Sequence, residues 1–266
     1  MKVIGKKEHY LDKEMETAIV PPDCTLVEDW AFGFCPALTK TWIPSGCRVS
    51  EKAFAGSDGL EEIFLYADAQ ALELGRSINE DPMLLALWIK NCPRDMEKAL
   101  KMAGEGEAFY PWFDESLMRL LKQPDDTGFT PFLAGGEEDY SDEGEEKKAY
   151  IRKMKKEKIR LAACRLFSDR ADEDVEKEPG SVTAVALDLF QSYINESDPA
   201  LYFSLIKEEG EAGEMYRKLF SRRQLFSHVD RDRLLGLAGE DVTLRAMILT
   251  RKKEEREESF FDVLTL

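Results

Sequence analysis

Apolar residues recur with two different spacings along this chain, and the spacing changes near residue 75. Between about residues 20 and 67 a Leu is followed five positions later by another apolar residue, as Leu38 is by Ile43. In such a strand alternate side chains are expected to face the core. From about Ile78 onward they follow the three-to-four-residue period of amphipathic helices. The pattern therefore predicts short strands in the first part of the chain and helices in the rest.

The strand-forming part contains an internal repeat with a period of 22 residues. A period of about 20–29 residues with this spacing is typical of leucine-rich repeats, in which each unit adds one short strand to a stack. One unit cannot bury its own apolar row, so the next unit has to be stacked on it. The corresponding positions are Ala31 and Ala53, Phe32 and Phe54, Leu38 and Leu60, Thr41 and Ile63, and Ile43 and Leu65.

The stretch from about Val20 to Ala67 resembles the bacterial BspA-like leucine-rich repeats. Their shared sequence pattern is an Ala-Phe pair, then a small residue or Cys, then a Leu, and then Ile/Leu-Pro. Cys35 takes the small position in one copy and Ser57 takes it in the other. Upstream, "VPPDC" repeats the pattern of "IPSGC" with one extra residue before the next Ala-Phe. Two clear repeats are too few to stand alone, so we expect the rest of the chain to cover them.

The remainder of the chain carries helical patterns. The clearest runs from Val182 to Ile194, where the i, i+3, i+4, i+7 spacing places the apolar residues on one face. Pro82 opens another pattern, as a proline does in the first turn of a helix. Further helices are expected over about residues 114–121 and 145–167.

A second internal echo, with an offset of 29 residues, relates residues 205–222 to residues 234–251. Each copy reads as a helix, a turn containing Gly210 or Gly239, and a second helix. Such helix pairs resemble degenerate ankyrin-type repeats, although the unit is shorter than the usual ~33 residues. The order of segments in this chain, BspA-like repeats followed by helices, is similar to that of some uncharacterised bacterial proteins.

These patterns predict an α+β fold with two domains. Residues 1–75 are expected to form a truncated leucine-rich-repeat segment. Residues 76–266 are expected to form an all-α, ankyrin-like helical-repeat domain with an acidic loop near residues 123–146.

The composition narrows the classes of function. Lys and Arg total 37 against 53 for Asp and Glu, and the net charge of −16 opposes binding to phosphate backbones and anionic lipid. No apolar run reaches the ~18–20 residues of a membrane span. Five widely spaced cysteines without a CxxC pair fit free thiols in a reducing compartment. We therefore expect a cytoplasmic protein, with the cell surface or secretion as the alternative if a signal peptide has been removed.

The sequence offers little for catalysis or metal binding. Cys24, Cys35 and Cys47 are 11 and 12 residues apart, wider than the pairs of a zinc site. A loop beginning at Asp139 resembles an EF-hand for six positions but has Tyr150 where the last ligand belongs. The chain has only two histidines, so a base for nucleophilic catalysis is scarce. We predict no enzymatic activity, no cofactor and no metal.

A basic segment supports an alternative function. Residues 147–160, "KKAYIRKMKKEKIR", hold eight basic residues and one acidic residue, and a basic helix can follow a phosphate backbone. The seven acidic residues between Glu137 and Glu146 can neutralise it locally. Nucleic-acid binding through this segment is thus kept as an alternative to protein binding. An enzyme without a recognisable motif is a further alternative.

The preferred prediction is a non-enzymatic protein–protein interaction module for an unknown partner. Trp42 and Phe64 occupy the same place in successive repeats, between two inward-facing positions, so they point away from the core. Stacked outward aromatic rings form a binding surface, unless the helical part covers them; both alternatives stay open. Lys40, Glu62 and Tyr66 are grouped with them as candidate contact residues, and the helix pairs after Pro199 are a second candidate surface.

Overall fold

The computed structural model describes residues 2–129, 143–168, 171, 181–208 and 211–251. The chain forms two compact units. The first contains residues Met1–Arg119 with Glu178–Thr183, and the second contains Leu120–Lys177 with Ala184–Leu266.

The first unit is a stack of three coils, each of which contributes one strand to each of two parallel sheets. The strands are β1 (Lys2–Ile4), β2 (Thr17–Ile19), β3 (Cys24–Val27), β4 (Lys40–Pro44), β5 (Arg48–Val49) and β6 (Glu62–Tyr66). The first sheet has the order β1-β3-β5 and the second has the order β2-β4-β6. Each coil therefore passes once through each sheet, and the coils lie one strand spacing apart.

The pairing register of β4 and β6 equals the offset found in the sequence. Thr41 pairs with Ile63 and Ile43 pairs with Leu65, 22 positions apart. The pairing of β2 with β4 is offset by one residue more, since Ala18 pairs with Thr41. The extra residue between "VPPDC" and the next Ala-Phe accounts for that difference.

The loops between the two sheets also stack in register. The Phe32 ring lies between those of His9 and Phe54, with centroid distances of 5.2 and 5.5 Å and nearly parallel planes. The two small positions of the repeat meet as well, because the Cys35 N–H donates to the Ser57 hydroxyl at 2.9 Å. Both of these side chains are buried.

The last strand of the second sheet is closed by a side chain instead of a fourth strand. The amide of Asn79 accepts a hydrogen bond from the Leu65 N–H at 2.7 Å and donates to the Ile63 carbonyl at 2.9 Å. The Ile78 N–H donates to the Leu65 carbonyl at 2.8 Å. Asn79 therefore satisfies the edge groups that a further strand would otherwise satisfy.

Helices complete the first unit. They are α1 (Ala69–Glu73), α2 (Pro82–Asn91), α3 (Met96–Gly104) and α4 (Phe109–Lys122), with 3₁₀ turns at Pro93–Asp95 and Gly106–Ala108. The predicted start of α2 is confirmed: the Asp81 side chain caps the helix by accepting from the Leu84 N–H, and proline follows it. The buried side of α2 packs on β6, and α3 lies against β5 and β6.

The predicted fold class, α+β with a leucine-rich-repeat segment followed by an all-α helical-repeat domain, is wrong. The chain is 54% helical and combines its helices with two small three-stranded parallel sheets in a mixed α/β arrangement, and the described residues give no evidence of an all-α repeat domain. Three short coils leave much of their apolar surface uncovered, and the helices directly after residue 75 bury it. The first compact unit accordingly extends to Arg119.

The second unit is helical in its described part. Its elements include α5 (Glu143–Phe167), α6 (Val182–Glu196, which begins in the first unit), α7 (Pro199–Ile206), α8 (Glu211–Arg222), α9 (Arg231–Ala238) and α10 over residues 242–251. The helices expected over 145–167 and 182–194 are thus confirmed. The turn after α9 has Gly239 at φ +59°, whereas Gly210 lies outside the described residues.

Candidate functional site

The second sheet presents a pair of aromatic rings on its outer face. The rings of Trp42 and Phe64 stack with a centroid distance of 4.5 Å and an angle of 14° between their planes. Both side chains are half-buried, whereas Thr41 and Ile43, which flank Trp42 in β4, point inward and are buried. The predicted alternation places the two rings together on a surface that is neither fully covered nor fully open.

Three further side chains border these rings. Lys40 and Glu62, two positions earlier in the same two strands, form an ion pair of 2.7 Å between Nζ and Oε2. Ile19 pairs with Trp42 and is 56% exposed, so it extends the column by one strand. We call Ile19, Trp42, Phe64, Lys40 and Glu62 the outer face. The sequence contains a signal for Ile19, because aligning "VPPDC" with "IPSGC" places it over Trp42.

Tyr66 does not belong to the outer face. Its side chain is fully buried, and its hydroxyl donates to the Val20 carbonyl two coils away. Burial raises its pKa to about 12, with the neighbouring Cys47, Cys24 and Asp23 adding to the effect. Grouping Tyr66 with the contact residues is therefore corrected: the strand turns inward at its end, and the phenol ties the coils together.

A second aromatic cluster, which the periodic pattern of the sequence does not indicate, lies on the loops of the first two coils. The rings of Trp30 and Phe34 are parallel at a centroid distance of 5.6 Å, and the Tyr10 ring stands edge-on to both. Phe34 is 42% exposed. Its backbone is left-handed at φ +55°, and Gly56 takes the same conformation one coil later, with the Phe34 ring over it. In the sequence, only the glycine at position 56 indicates that this loop position has a left-handed backbone.

The helices after Pro199 offer less surface than predicted. Most side chains of α7 are buried, and Tyr202 donates from its hydroxyl to the Tyr216 carbonyl at 2.8 Å inside the unit. The most exposed large apolar side chain of this region is Val242, which is 78% exposed. The exposed apolar positions of these helices are therefore isolated residues.

The basic segment 147–160 lies on α5, where most of its charges meet carboxylates of the second unit. Lys158 is buried, and its Nζ donates to Asp125 at 2.7 Å and to the Gln123 carbonyl at 2.6 Å. Arg160 binds both carboxylate oxygens of Glu208, at 2.9 and 2.7 Å. Six of the eight basic side chains have a carboxylate oxygen within 4.0 Å: Lys147, Lys148, Lys155, Lys156, Lys158 and Arg160.

The cysteines hold structural positions. The sulfur atoms of Cys24 and Cys47 lie 3.9 Å apart between adjacent coils, and Cys35 Sγ contacts the His9 carbonyl at 3.1 Å. Burial raises the pKa of Cys47 to about 12. Among residues whose placement is described, His, Cys, Asp and Glu nowhere form a group of three or more able to hold a metal ion. The EF-hand-like loop begins at Asp139, outside the described residues.

His228 lies at a cleft of about 210 Å³ in the second unit. Two of the charged groups that line the cleft, Asp230 and Arg251, hold structural partners. Asp230 caps α9 by accepting from the N–H groups of Asp232 and Arg233, and Arg251 donates to the carbonyl groups of Phe220 and Leu225. Among the described residues of this unit, two carboxyl groups have a lowered pKa: Lys147 lowers that of Asp126, and the Leu244 N–H lowers that of Asp241. Those shifts are opposite to the raised pKa of a buried general acid.

Over the part of the chain that the structure covers, helices long and apolar enough to cross a membrane are absent. Comparison of the chain with protein-family models, with curated proteins and with solved structures finds no match, so nothing about its family or activity is carried over from another protein.

Proposed function

We propose that the protein is a non-enzymatic interaction module that binds a protein partner through the outer face of its second sheet. The observation that carries the proposal is the stacked, half-buried pair Trp42 and Phe64 on a rigid parallel sheet. Aromatic side chains are enriched among the residues that dominate binding energy, because they bury a large area and lose little conformational entropy. The Lys40–Glu62 pair at their side gives a polar border, as interface rims have.

The nucleic-acid alternative is the weaker of the two. A phosphate-binding helix needs basic groups that are free to replace counterions. In α5 most of these groups are bound to carboxylates such as Asp125 and Glu208, while Arg152 and Lys153 stay exposed without a carboxylate partner among the described residues. Two basic side chains on a chain with a net charge of −16 give little attraction for a phosphate backbone.

The resemblance of residues 20–67 to BspA-like repeats stays a prediction, and the 22-residue register of β4 and β6 is in keeping with it. A cytoplasmic location likewise stays a proposal, with the cell surface as the alternative. Five free cysteines, four of them buried, support a reducing compartment.

Affinity capture from a lysate of the source organism tests the proposal. The baits are the intact chain, a Trp42→Ala/Phe64→Ala variant, and a Val242→Ala variant as a matched exposed apolar control. The proposal expects one protein to be retained by the intact chain and the control and lost with the aromatic variant. Capture of that protein by all three baits, or recovery of nucleic acid that is lost with an Arg152→Glu/Lys153→Glu bait, would contradict it.

A further inference from the structure

The two ends of the second sheet differ. At β6 the edge groups are satisfied by Asn79 and Ile78. At the other end, β2 uses Glu16, Ala18 and Val20 to bond to β4: the Glu16 carbonyl accepts from Lys40, and the Val20 N–H donates to Trp42 at 2.9 Å. Because the backbone groups of successive strand residues point to opposite sides, those of Thr17 and Ile19 face away from β4. No described residue bonds to these outward groups.

The coil that carries this edge also exposes apolar side chains. Val3 in β1 is 44% exposed, Leu11 in the following loop 53%, and Ile19 in β2 56%. An edge strand with exposed apolar neighbours and without a covering side chain is a template for pairing with another strand. The described residues therefore leave the β2 edge of the first coil open.

The charge of the first coil differs from that of the whole chain. Residues 2–19 contain four lysines (Lys2, Lys6, Lys7 and Lys13) and four carboxylates (Glu8, Asp12, Glu14 and Glu16), so their net charge is zero. The charge of −16 is carried by the rest of the chain. The first coil therefore presents no net charge of its own to a second copy, whereas the rest of the chain carries the excess of carboxylates.

We propose that a second copy of this chain docks at the first coil, with β2 pairing antiparallel to β2 of the other copy about a two-fold axis. The pairing is self-complementary, because a two-fold axis at Ala18 places the outward groups of Thr17 opposite those of Ile19. The two β2-β4-β6 sheets then form one continuous six-stranded sheet. This interface uses backbone groups at the edge of the sheet and shares only Ile19 with the outer face, whose Trp42 and Phe64 rings carry the proposed partner binding.

Sedimentation equilibrium of the intact chain over a range of concentrations tests the proposal. The expected mass rises from the 30.4 kDa of one chain toward twice that value. Ile19→Pro removes an N–H that points to the open edge and leaves the bonds to β4 in place, so this variant should stay monomeric. Val242→Lys, a substitution at an exposed apolar residue of the second unit, should associate as the intact chain does.

A second variant guards against misfolding by the proline. Ile19→Lys keeps the backbone N–H but brings one lysine of each copy close to the two-fold axis on the same face of the sheet. It should weaken association at least tenfold, while its thermal melt matches that of the intact chain at a concentration where both have one-chain mass. The Trp42→Ala/Phe64→Ala variant should still associate, which separates this proposal from the proposed function. An intact chain that stays at one-chain mass, or an Ile19→Pro or Ile19→Lys variant that associates like the intact chain, would overturn the proposal.

Discussion

The side-chain amide of Asn79 accepts a hydrogen bond from the backbone N–H of Leu65 at 2.7 Å, so a single side chain takes the place of a neighbouring strand. Asn79 is buried and also donates to the Ile63 carbonyl. The sheet thus ends at β6 without leaving a buried donor and acceptor unpaired.

Asn79→Ala should destabilise the first unit by about 2–4 kcal/mol, because two buried backbone groups lose their partner. The loss can be measured by urea unfolding followed by tryptophan fluorescence, since all four tryptophans (Trp30, Trp42, Trp88 and Trp112) lie in this unit. Asn91→Ala is the control, because the Asn91 amide donates to the Leu87 carbonyl within α2. Equal unfolding midpoints for both variants would refute the role given to Asn79.

Thr41→Val should stabilise the first unit by about 1 kcal/mol. The Thr41 hydroxyl is fully buried and has no hydrogen-bond partner among the described residues, so its replacement by a methyl group removes a desolvation cost at nearly constant volume. Thr39→Val is the matched control, because the Thr39 hydroxyl donates to the Glu16 carbonyl at 3.2 Å. A gain in the urea midpoint for Thr41→Val and none for Thr39→Val is expected; the reverse order would show that Thr41 has a partner.

Gly59→Ala should destabilise the coils, because its Cβ would lie 2.7 Å from the Pro36 carbonyl oxygen on the neighbouring coil. The Cβ is fixed by the backbone of one coil and the oxygen belongs to the backbone of the other. Relieving this clash therefore requires the coils to move apart, at a cost of about 1–3 kcal/mol. Gly46→Ala has open space around its Cβ and should change stability by less than about 1 kcal/mol, in the stabilising direction. Comparable losses for the two variants in the same fluorescence assay would argue against close coil packing at Gly59.

Alkaline unfolding should depend on Tyr66. Burial raises its pKa from 10.0 to about 12, so the folded state favours the neutral phenol. This contribution is fully present below pH 10.0 and is lost as the pH rises toward about 12. Tyr66→Phe should be less stable than the intact chain at neutral pH, because the Val20 carbonyl loses its donor, but its stability should fall less steeply between these two pH values. Parallel pH profiles for the two proteins would contradict this account.

The sequence predicted those features of the fold that depend on periodic patterns. The 22-residue repeat predicted which residues of β4 and β6 pair, and hence that Trp42 and Phe64 lie side by side. The grouping of Tyr66 with the contact residues is wrong, because its side chain turns inward at the end of the strand to reach Val20. The buried position of Tyr66 depends on a contact two coils away, which no local pattern contains.

Other features depend on contacts between residues far apart in the sequence. The pattern of α5 revealed a basic segment, but not that Asp125 and Glu208, from separate parts of the chain, would bind Lys158 and Arg160. The sequence predicts a separate repeat domain after residue 75, since the periodicity of helices carries no information on whether they pack on each other or on a sheet. In the structure α2 packs on β6, which makes the arrangement mixed α/β.

The most direct test of the central claim is a calorimetric titration of the captured partner with single variants of the outer face. Trp42→Ala and Phe64→Ala should each weaken binding at least about tenfold, that is by about 1.4 kcal/mol or more, because each removes one of two stacked rings. Lys40→Ala, at the border of the rings, should weaken it by less than about 1 kcal/mol. If all three variants bind like the intact chain, the outer face is not the contact surface and the proposed function is wrong.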